Sequence, residues 1–335
     1  MAANGYSVYF GSGFGSGGQN REDLLDLIVN IDPHESPLLT KSPKTVARHT
    51  LHEWLTDTLA ATSTAGADEG ADFLFASANF TSRVRESNWT QVFRKDILVS
   101  NTMRAVDPAG VQDEYAYQIM KALKEIGRNI EATFFASVTT ATASGAPRIM
   151  KTLPSIVSAS GTAGNMYFSS STAIGGNGVA SSAPLTEGIY NGMLEAIFAN
   201  GGNPDTVYTN SKGKRQISQY TANTSFPTAS IAARNIALAD RRLVNSVDIY
   251  ESDFGTQQIV LDRWVPQATS TATTATGTNV WFIESPMVRV AFLRPIKHVP
   301  LPPGGDASRG MVLGELTLEV GNQKAIGQIR DIQAI

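Results

Sequence analysis

The sequence predicts an α+β protein with an N-terminal arm, an extended β-hairpin, one long helix, a mixed domain and closing antiparallel strands. Two strand-like segments flank a polar stretch at 57–79, which predicts a hairpin that projects from the body. Apolar residues recur every three or four positions over 111–138, which predicts the long helix. With 335 residues, 42% of them hydrophobic, the chain can bury a substantial core, and it has no repeat of fixed period.

The composition excludes several classes of protein. Because the chain has no Cys, disulfides, thiolate nucleophiles and iron–sulfur clusters are excluded. A formal net charge of −3 argues against a nucleic-acid binder, which needs a concentrated basic surface. Charged residues make up only 17%, which suits a surface largely covered by other protein. No uninterrupted apolar run approaches the roughly 18 residues of a membrane span, so no membrane partner is expected.

Residues 1–50 are expected to form the arm. Residues 11–18 are rich in glycine and serine, and a helix is predicted to begin at Asn20, a capping residue followed by acidic residues. Pro33, Pro37 and Pro43 predict an extended strap rather than a packed element. Residues 13–18 also match the dinucleotide-binding string G-x-G-x-x-G, but no strand–helix–strand unit surrounds them, so no cofactor is expected.

The hairpin is predicted from a strand over 45–57 and a long returning strand over 80–99. The expected apolar anchors of the first strand are Val46, Leu51, Trp54 and Leu55. The tip, residues 57–79, has too little apolar surface to fold on its own and contains no basic residue. The tip residues expected to make contacts are acidic or aromatic: Asp57, Asp68, Glu69, Asp72, Phe73 and Phe75.

The long helix is predicted to begin at Asp107 and Pro108, a cap followed by proline, and to extend for about thirty residues, roughly 45 Å. Four residues of its apolar stripe are expected to be buried against the closing sheet: Ile119, Leu123, Ile126 and Ile130. The outer side carries Lys121, Lys124 and Arg128. Lys121 and Arg128 are expected to form ion pairs with Glu125 along the helix.

Residues 139–184 predict no regular element. A helix is predicted over 186–200, ended by Gly201 and Gly202, and is followed by a strand over 206–209 and a basic helix over 211–220. Further strands are predicted over 247–251, 257–265 and 279–284. The closing antiparallel sheet is predicted to contain 288–293, 311–320 and 325–332.

No residue pattern predicts catalysis or metal binding. The chain has four His, none of which lies in a recognisable nucleophile motif. His49 and His52, beside Glu53, are three residues apart on a predicted strand and would face opposite sides of it, which does not suit a zinc site. We expect no enzymatic activity and neither a metal nor a cofactor.

The order of the parts resembles the major capsid protein fold of tailed bacteriophages, the Hong Kong 97 type. Several segments are also similar to the SU10-like major head proteins: NREDL at 20–24, SPLL at 36–39, EW at 53–54 with Asp57, and NWTQ at 88–91. The most specific similarity extends from VS at 99–100 through DEYAYQ at 113–118 into the long helix, at Lys121, Lys124, Glu125, Arg128, Ile130 and Glu131. The resemblance covers residues 20–135.

This resemblance implies an arm (1–50), an extended loop (51–100), a peripheral domain with a spine helix (101–145 and 285–335) and an axial domain (146–284). It implies a structural subunit that assembles, in the host cytoplasm, into hexamers and pentamers of the icosahedral or prolate head of a virion. The implied partners are other copies of the chain, a portal, decoration or scaffolding proteins, and packaged double-stranded DNA bound without sequence specificity.

The resemblance also implies that the hairpin tip lies on a neighbouring subunit. The acidic and aromatic tip residues are then expected to meet the outer side of the neighbour's spine helix, at Lys121, Lys124 and Arg128. Because the tip has no Lys, the isopeptide cross-link of the Hong Kong 97 prototype is not expected.

Two other functions remain open from the sequence alone. A bacterial nanocompartment shell has the same fold but encloses enzymes. A secreted β-rich hydrolase would suit the low charge and the many Ser and Thr residues. Against the hydrolase, the N-terminus lacks the basic and apolar regions of a signal peptide, and no paired carboxylates lie in a recognisable catalytic motif.

Overall fold

The computed structural model describes residues 32–60, 62, 64, 66, 69–70, 83–106, 110–136, 147–159, 166–168, 184–220, 236–237, 242–243, 247–266 and 278–332. Its helices are α1 (Pro37–Lys41), α2 (Asn101–Ala105), α3 (Glu114–Phe135), α4 (Leu153–Ala159), α5 (Glu187–Ala199) and α6 (Ser211–Ser218). The strands are β1 (Lys44–Val46), β2 (Leu51–Thr56), β3 (Val84–Trp89), β4 (Gln91–Ser100), β5 (Met166–Phe168), β6 (Thr206–Thr209), β7 (Ile236–Ala237), β8 (Arg242–Leu243), β9 (Ile249–Ser252), β10 (Gly255–Leu261), β11 (Thr278–Ile283), β12 (Val288–Leu301), β13 (Ala307–Val320) and β14 (Gly327–Ile332). The helix predicted from Asn20 lies outside the described residues.

A four-stranded sheet with the order β1-β12-β13-β4 forms one half of the body. Its two long strands, β12 and β13, pair antiparallel, and β4 pairs antiparallel with β13, while β1 lies parallel to β12. The long helix α3 packs on one face of this sheet. The shared core is apolar and fully buried, and includes Ile126, Ile130, Phe134, Val312 and Leu318.

A six-stranded sheet with the order β5-β14-β11-β6-β10-β9 forms the other half. Helices α5 and α6 pack on one face of it through Tyr190, Met193 and Ile217. The opposite face meets the end of α3, where the ring of Phe135 contacts those of Tyr208 and Trp281. The predicted helices over 186–200 and 211–220 and the strand over 206–209 are therefore confirmed.

The prediction that 325–332 belongs to the closing antiparallel sheet is wrong. The strand β14 pairs antiparallel with β11 and parallel with β5, both of which belong to the six-stranded sheet. A short 3-10 turn at Gln323–Ala325, capped by the Asn322 side chain, separates it from β13. Alternating apolar residues identify a strand but not its partner, so the sequence could not assign this strand to a sheet.

The spine helix α3 is shorter than predicted. It has 22 residues, about 33 Å, and begins after Asp113, whose carboxylate accepts a hydrogen bond from the Tyr115 amide at 3.0 Å. Before it, Gly110 adopts φ +87°, a left-handed conformation that interrupts helical geometry. The helix ends at Phe135 rather than at Val138. Ile126 and Ile130 are buried as predicted, but Leu123 is 41% exposed, so its predicted burial is wrong.

Three further expectations about 33–99 need correction. The strap contains the helix α1, and its Leu38 is 1% exposed in the main core, because Pro37 occupies the first helical position, which tolerates proline. Val46 and Leu55 are 75% and 62% exposed, so they do not anchor the first strand. The returning strand divides at Thr90: β3 pairs with β2, and β4 pairs with β13.

Within the described residues, none of the helices is long and apolar enough to span a membrane.

Candidate assembly surface and the hairpin base

The hairpin leaves the four-stranded sheet as a two-stranded ribbon. Strands β2 and β3 pair in register from Leu51 opposite Trp89 to Thr56 opposite Val84. At its distal end the ribbon exposes apolar side chains, with Leu55 62% and Val84 52% exposed. This end is therefore available to contact another molecule, whereas the base is packed on the sheet.

Two side chains fasten the ribbon directly to the backbone of β13. The Trp54 indole Nε1 donates to the Val320 carbonyl at 2.9 Å. The buried amide of Asn88 donates to the Leu318 carbonyl at 2.8 Å, and its oxygen accepts from the Lys151 amide at 2.7 Å. Because one anchor comes from each strand of the ribbon, the base is held on both sides.

A buried carboxylate, Glu315, lies where β3 becomes β4. It accepts hydrogen bonds from the Thr90 hydroxyl at 2.7 Å and from the guanidinium groups of Arg148 at 2.7 Å and Arg294 at 2.9 Å. The Glu315 side chain is 5% exposed, while the two arginines are 37% and 49% exposed. The carboxylate thus joins β13, β12, the 147–151 segment and the junction between β3 and β4.

A second carboxylate, Glu319, lies four residues further along the same face of β13. Its side chain is 11% exposed and contacts His52 at 3.1 Å, the Thr45 hydroxyl at 3.1 Å and Arg289 at 3.4 Å. His49, the other histidine considered above as a possible metal ligand, has a different contact. Its Nδ1 accepts a hydrogen bond from the Leu51 amide at 3.3 Å. The pair of His52 and Glu319 therefore connects the hairpin to the sheet, and His49 and His52 form hydrogen bonds with different residues.

Sequence reasoning missed both of these glutamates. In the strand GELTLEV at 314–320, they alternate with apolar residues, and this pattern ordinarily indicates a solvent-facing side. The signal that could have found Glu315 is the similarity of NWTQ at 88–91, because this segment contains Thr90, whose hydroxyl donates to Glu315.

The structure describes two of the six tip residues expected to contact a neighbour. Asp57 accepts hydrogen bonds from Arg83 at 3.3 Å and from the Thr58 amide at 2.9 Å, so it already has a partner in its own hairpin. Glu69 lies in a turn. The other four, Asp68, Asp72, Phe73 and Phe75, lie outside the described residues.

The outer side of α3 carries an exposed strip of basic and apolar side chains. Lys121 and Lys124 are exposed, next to Met120 and Leu123, which are 61% and 41% exposed. Arg128 is less available, because its guanidinium lies over the Trp264 ring, 5.8 Å from the ring centre.

The expected ion-pair partner of Glu125 differs from the one observed. Glu125 contacts Lys95 of β4 at 3.1 Å, whereas Lys121 and Arg128 of its own helix were expected. The pair therefore connects the spine helix to the sheet and leaves Lys121 on the outer side.

Comparison with known proteins agrees with this geometry. A family model described as the SU10 major capsid protein matches residues 8–333. Curated proteins give no match. Among solved structures, the capsid of a native GTA particle has a TM-score of 0.63 at 11% identity, covering 99% of this chain and 100% of that chain.

Two more solved structures extend the comparison. The structure from Gordonia phage Cozz has a TM-score of 0.57 at 15% identity, covering 100% of this chain and 98% of that chain. The holo-SrpI encapsulin complex from Synechococcus elongatus has a TM-score of 0.57 at 9% identity, with coverage of 94% and 92%. Identities this low show the fold alone, and that fold is the Hong Kong 97 type expected from the sequence. Because the family model matches nearly the whole chain, the chain belongs to the SU10 major capsid protein family and is the major capsid protein of a tailed phage.

Proposed function

We propose that this chain assembles through hexamers and pentamers into the icosahedral or prolate head that encloses the double-stranded DNA of the phage. The observation that carries the proposal is the hairpin, which is fastened at its base by Trp54, Asn88, Glu315 and Glu319 but exposes apolar residues at its far end. A projection held in this way presents a fixed surface to a second copy.

The proposed partners follow from the same role. Other copies of the chain are the main partners, and a portal and decoration or scaffolding proteins complete the head. DNA is enclosed without sequence specificity, which agrees with the formal net charge of −3. Assembly takes place in the host cytoplasm, and the subunit has a structural role with no catalytic step.

The proposed domains are the arm (1–50), the extended loop (51–100), the peripheral domain (101–145 and 285–335) and the axial domain (146–284). One change is needed: β14 pairs within the six-stranded sheet, so we assign 327–332 to the axial domain.

The proposed contact places the hairpin tip of one subunit on the spine helix of the next. Lys121 and Lys124 face the acidic residues Asp68, Glu69 and Asp72, and Met120 and Leu123 offer apolar area to Phe73 and Phe75. Asp57 and Arg128 contribute less than expected from the sequence, because each has a partner in its own subunit. Such partly exposed ion pairs determine register more than strength, at about 0–1 kcal/mol each.

Hydrogen exchange tests this contact. We expect exchange across 57–79 and along the outer side of α3 to slow when free subunits become shells. The double variant Lys121→Glu/Lys124→Glu should weaken assembly, because it repels an acidic tip. Lys297→Glu, an exposed charge reversal on β12, is the matched control and should assemble normally. Equal exchange in free and assembled subunits, or normal assembly of the double variant, would contradict the contact.

A further inference from the structure

The strap of residues 35–41 is held on the spine helix by a carboxylate inside the protein. Glu131 of α3 is 0% exposed, and its two carboxylate oxygens accept hydrogen bonds from the Leu38 amide at 2.6 Å and the Leu39 amide at 2.9 Å. The contact joins residues more than 90 positions apart in the chain. Glu131 therefore determines where the arm meets the body.

A second buried carboxyl group lies next to the first. Asp262, which follows β10, is 1% exposed and is close enough to Glu131 for each group to influence the pKa of the other. One oxygen, Oδ1, accepts from the Trp264 amide at 2.9 Å. The other oxygen, Oδ2, is buried, and none of the described residues donates a hydrogen bond to it. An oxygen in this position is satisfied if it carries a proton and donates it to Glu131.

Three basic side chains lie on the elements around Glu131 and Asp262, and in the described residues each of them contacts a different group. On the strap, Lys41 donates to the Gln258 side chain at 2.8 Å. Beside Asp262, Arg263 pairs with Glu35 at 3.2 Å on the surface. Arg128 of the spine helix lies over the Trp264 ring, as described above.

Among the described residues, the remaining titratable groups that act on the pair or on Tyr208 are acids. Tyr208 of β6 faces Glu131, and burial raises the pKa of its phenol, which stays neutral. Glu35 and Asp205 add negative potential, on Asp262 and Tyr208 respectively. Two ionised carboxylates in contact here would repel each other strongly in a low-dielectric interior.

We propose that Glu131 and Asp262 share one proton, and that this pair is a proton-dependent clasp that holds the strap on the spine helix. The proton resides on Asp262 Oδ2 and is donated to Glu131, while Glu131 stays ionised and accepts from the two strap amides. When the pair loses this proton, two adjacent buried carboxylates are both charged and repel each other. The strap then separates from the spine helix, because water that reaches the carboxylates stabilises their charges.

The sign of the pH dependence follows from the raised pKa values. Burial raises the pKa of both carboxyl groups, and the charge of one carboxylate opposes ionisation of the other, so the pair loses its shared proton at the raised pKa of about 8. The closed clasp therefore binds more protons than the open one between the ordinary carboxyl range and about pH 8. The clasp is strongest at the acidic end of this window, and its opening increases by up to about tenfold per pH unit until it levels off above the raised pKa.

Hydrogen exchange of the Leu38 and Leu39 amides in the purified chain tests the clasp. Their protection factors, corrected for intrinsic exchange, should fall at least several-fold between pH 6 and 8. In Asp262→Asn the side-chain N–H replaces the O–H permanently, so protection should become independent of pH. The matched control Glu251→Gln removes an exposed carboxylate of β9 that does not act on the pair, and it should behave as the wild type. Protection that is flat in the wild type, or equally steep in Asp262→Asn, would overturn the proposal.

Infrared spectroscopy gives a second measurement that does not require the variant to fold. The wild-type chain at neutral pH should show the carbonyl band of a protonated carboxylic acid, which disappears as the pH rises through about 8. Absence of this band at neutral pH would show that both groups are ionised, and the clasp would be rejected.

Discussion

At the scale of single residues, three buried glutamates connect parts of the chain that lie far apart in sequence. Glu315 and Glu319 join the hairpin base to the sheet, and Glu131 joins the strap to the spine helix. Each accepts at least two hydrogen bonds, which compensates for removing the carboxylate from water. A buried carboxylate that accepts several hydrogen bonds restricts the positions of all its donors. These glutamates therefore orient the hairpin and the strap relative to the body.

Replacing Glu315 by Gln should lower the free energy of unfolding by about 1–3 kcal/mol, because the buried hydrogen bonds to two guanidinium groups lose their charge. The arginines are partly exposed, so solvent offsets part of the loss. Chemical denaturation of the unassembled subunit measures the effect.

Glu53→Gln is the matched control for that substitution. It lies on the same hairpin, but its pair with Arg85 spans 3.8 Å between exposed side chains, and its loss should cost less than about 1 kcal/mol. Equal costs for the two variants would mean that Glu315 does not hold the base.

At the scale of elements, the spine helix shows what periodicity can and cannot predict. The stripe through Ile126 and Ile130 predicted the buried face correctly, because both residues pack on the sheet. The start was wrong, because the Asp–Pro pair at 107–108 resembles a cap, while Gly110 and Asp113 determine where the helix begins. Leu123 lies at the edge of the stripe, and among the described residues no sheet covers that side of α3.

Ile126→Ala should lower the free energy of unfolding by about 2–5 kcal/mol, because it removes buried methyl groups and leaves a cavity beneath α3. Leu123→Ala on the same helix removes an exposed side chain and should change stability by less than about 1 kcal/mol. Thermal or denaturant unfolding of both variants compares them directly. Similar losses would show that the two faces of the helix have been confused.

At the scale of the whole molecule, the order of the parts was more informative than any single motif. The hairpin and the spine helix could be predicted because each leaves a local pattern in the chain. The pairing of β14 with β11, and the contacts of Glu131, Glu315 and Glu319, depend on residues distant in sequence. Local patterns contain no information about such partners, so these features required the structure.

The assembled head should contain no covalent links through the hairpin tip. Residues 57–79 contain no Lys, and an isopeptide bond of the prototype kind requires a lysine amine there. Particles boiled in SDS should therefore release single subunits on a gel. A ladder of high-mass bands would show that another residue forms a cross-link.

Electron microscopy of the purified chain tests the central claim, assembly into a closed shell, most directly. A family member with a fixed hairpin and an exposed basic strip on its spine helix should form closed particles of uniform size, with each hairpin lying over the spine helix of a neighbour. Circular dichroism shows in parallel that the chain is folded. A folded chain that stays monomeric at every concentration tested would contradict the account.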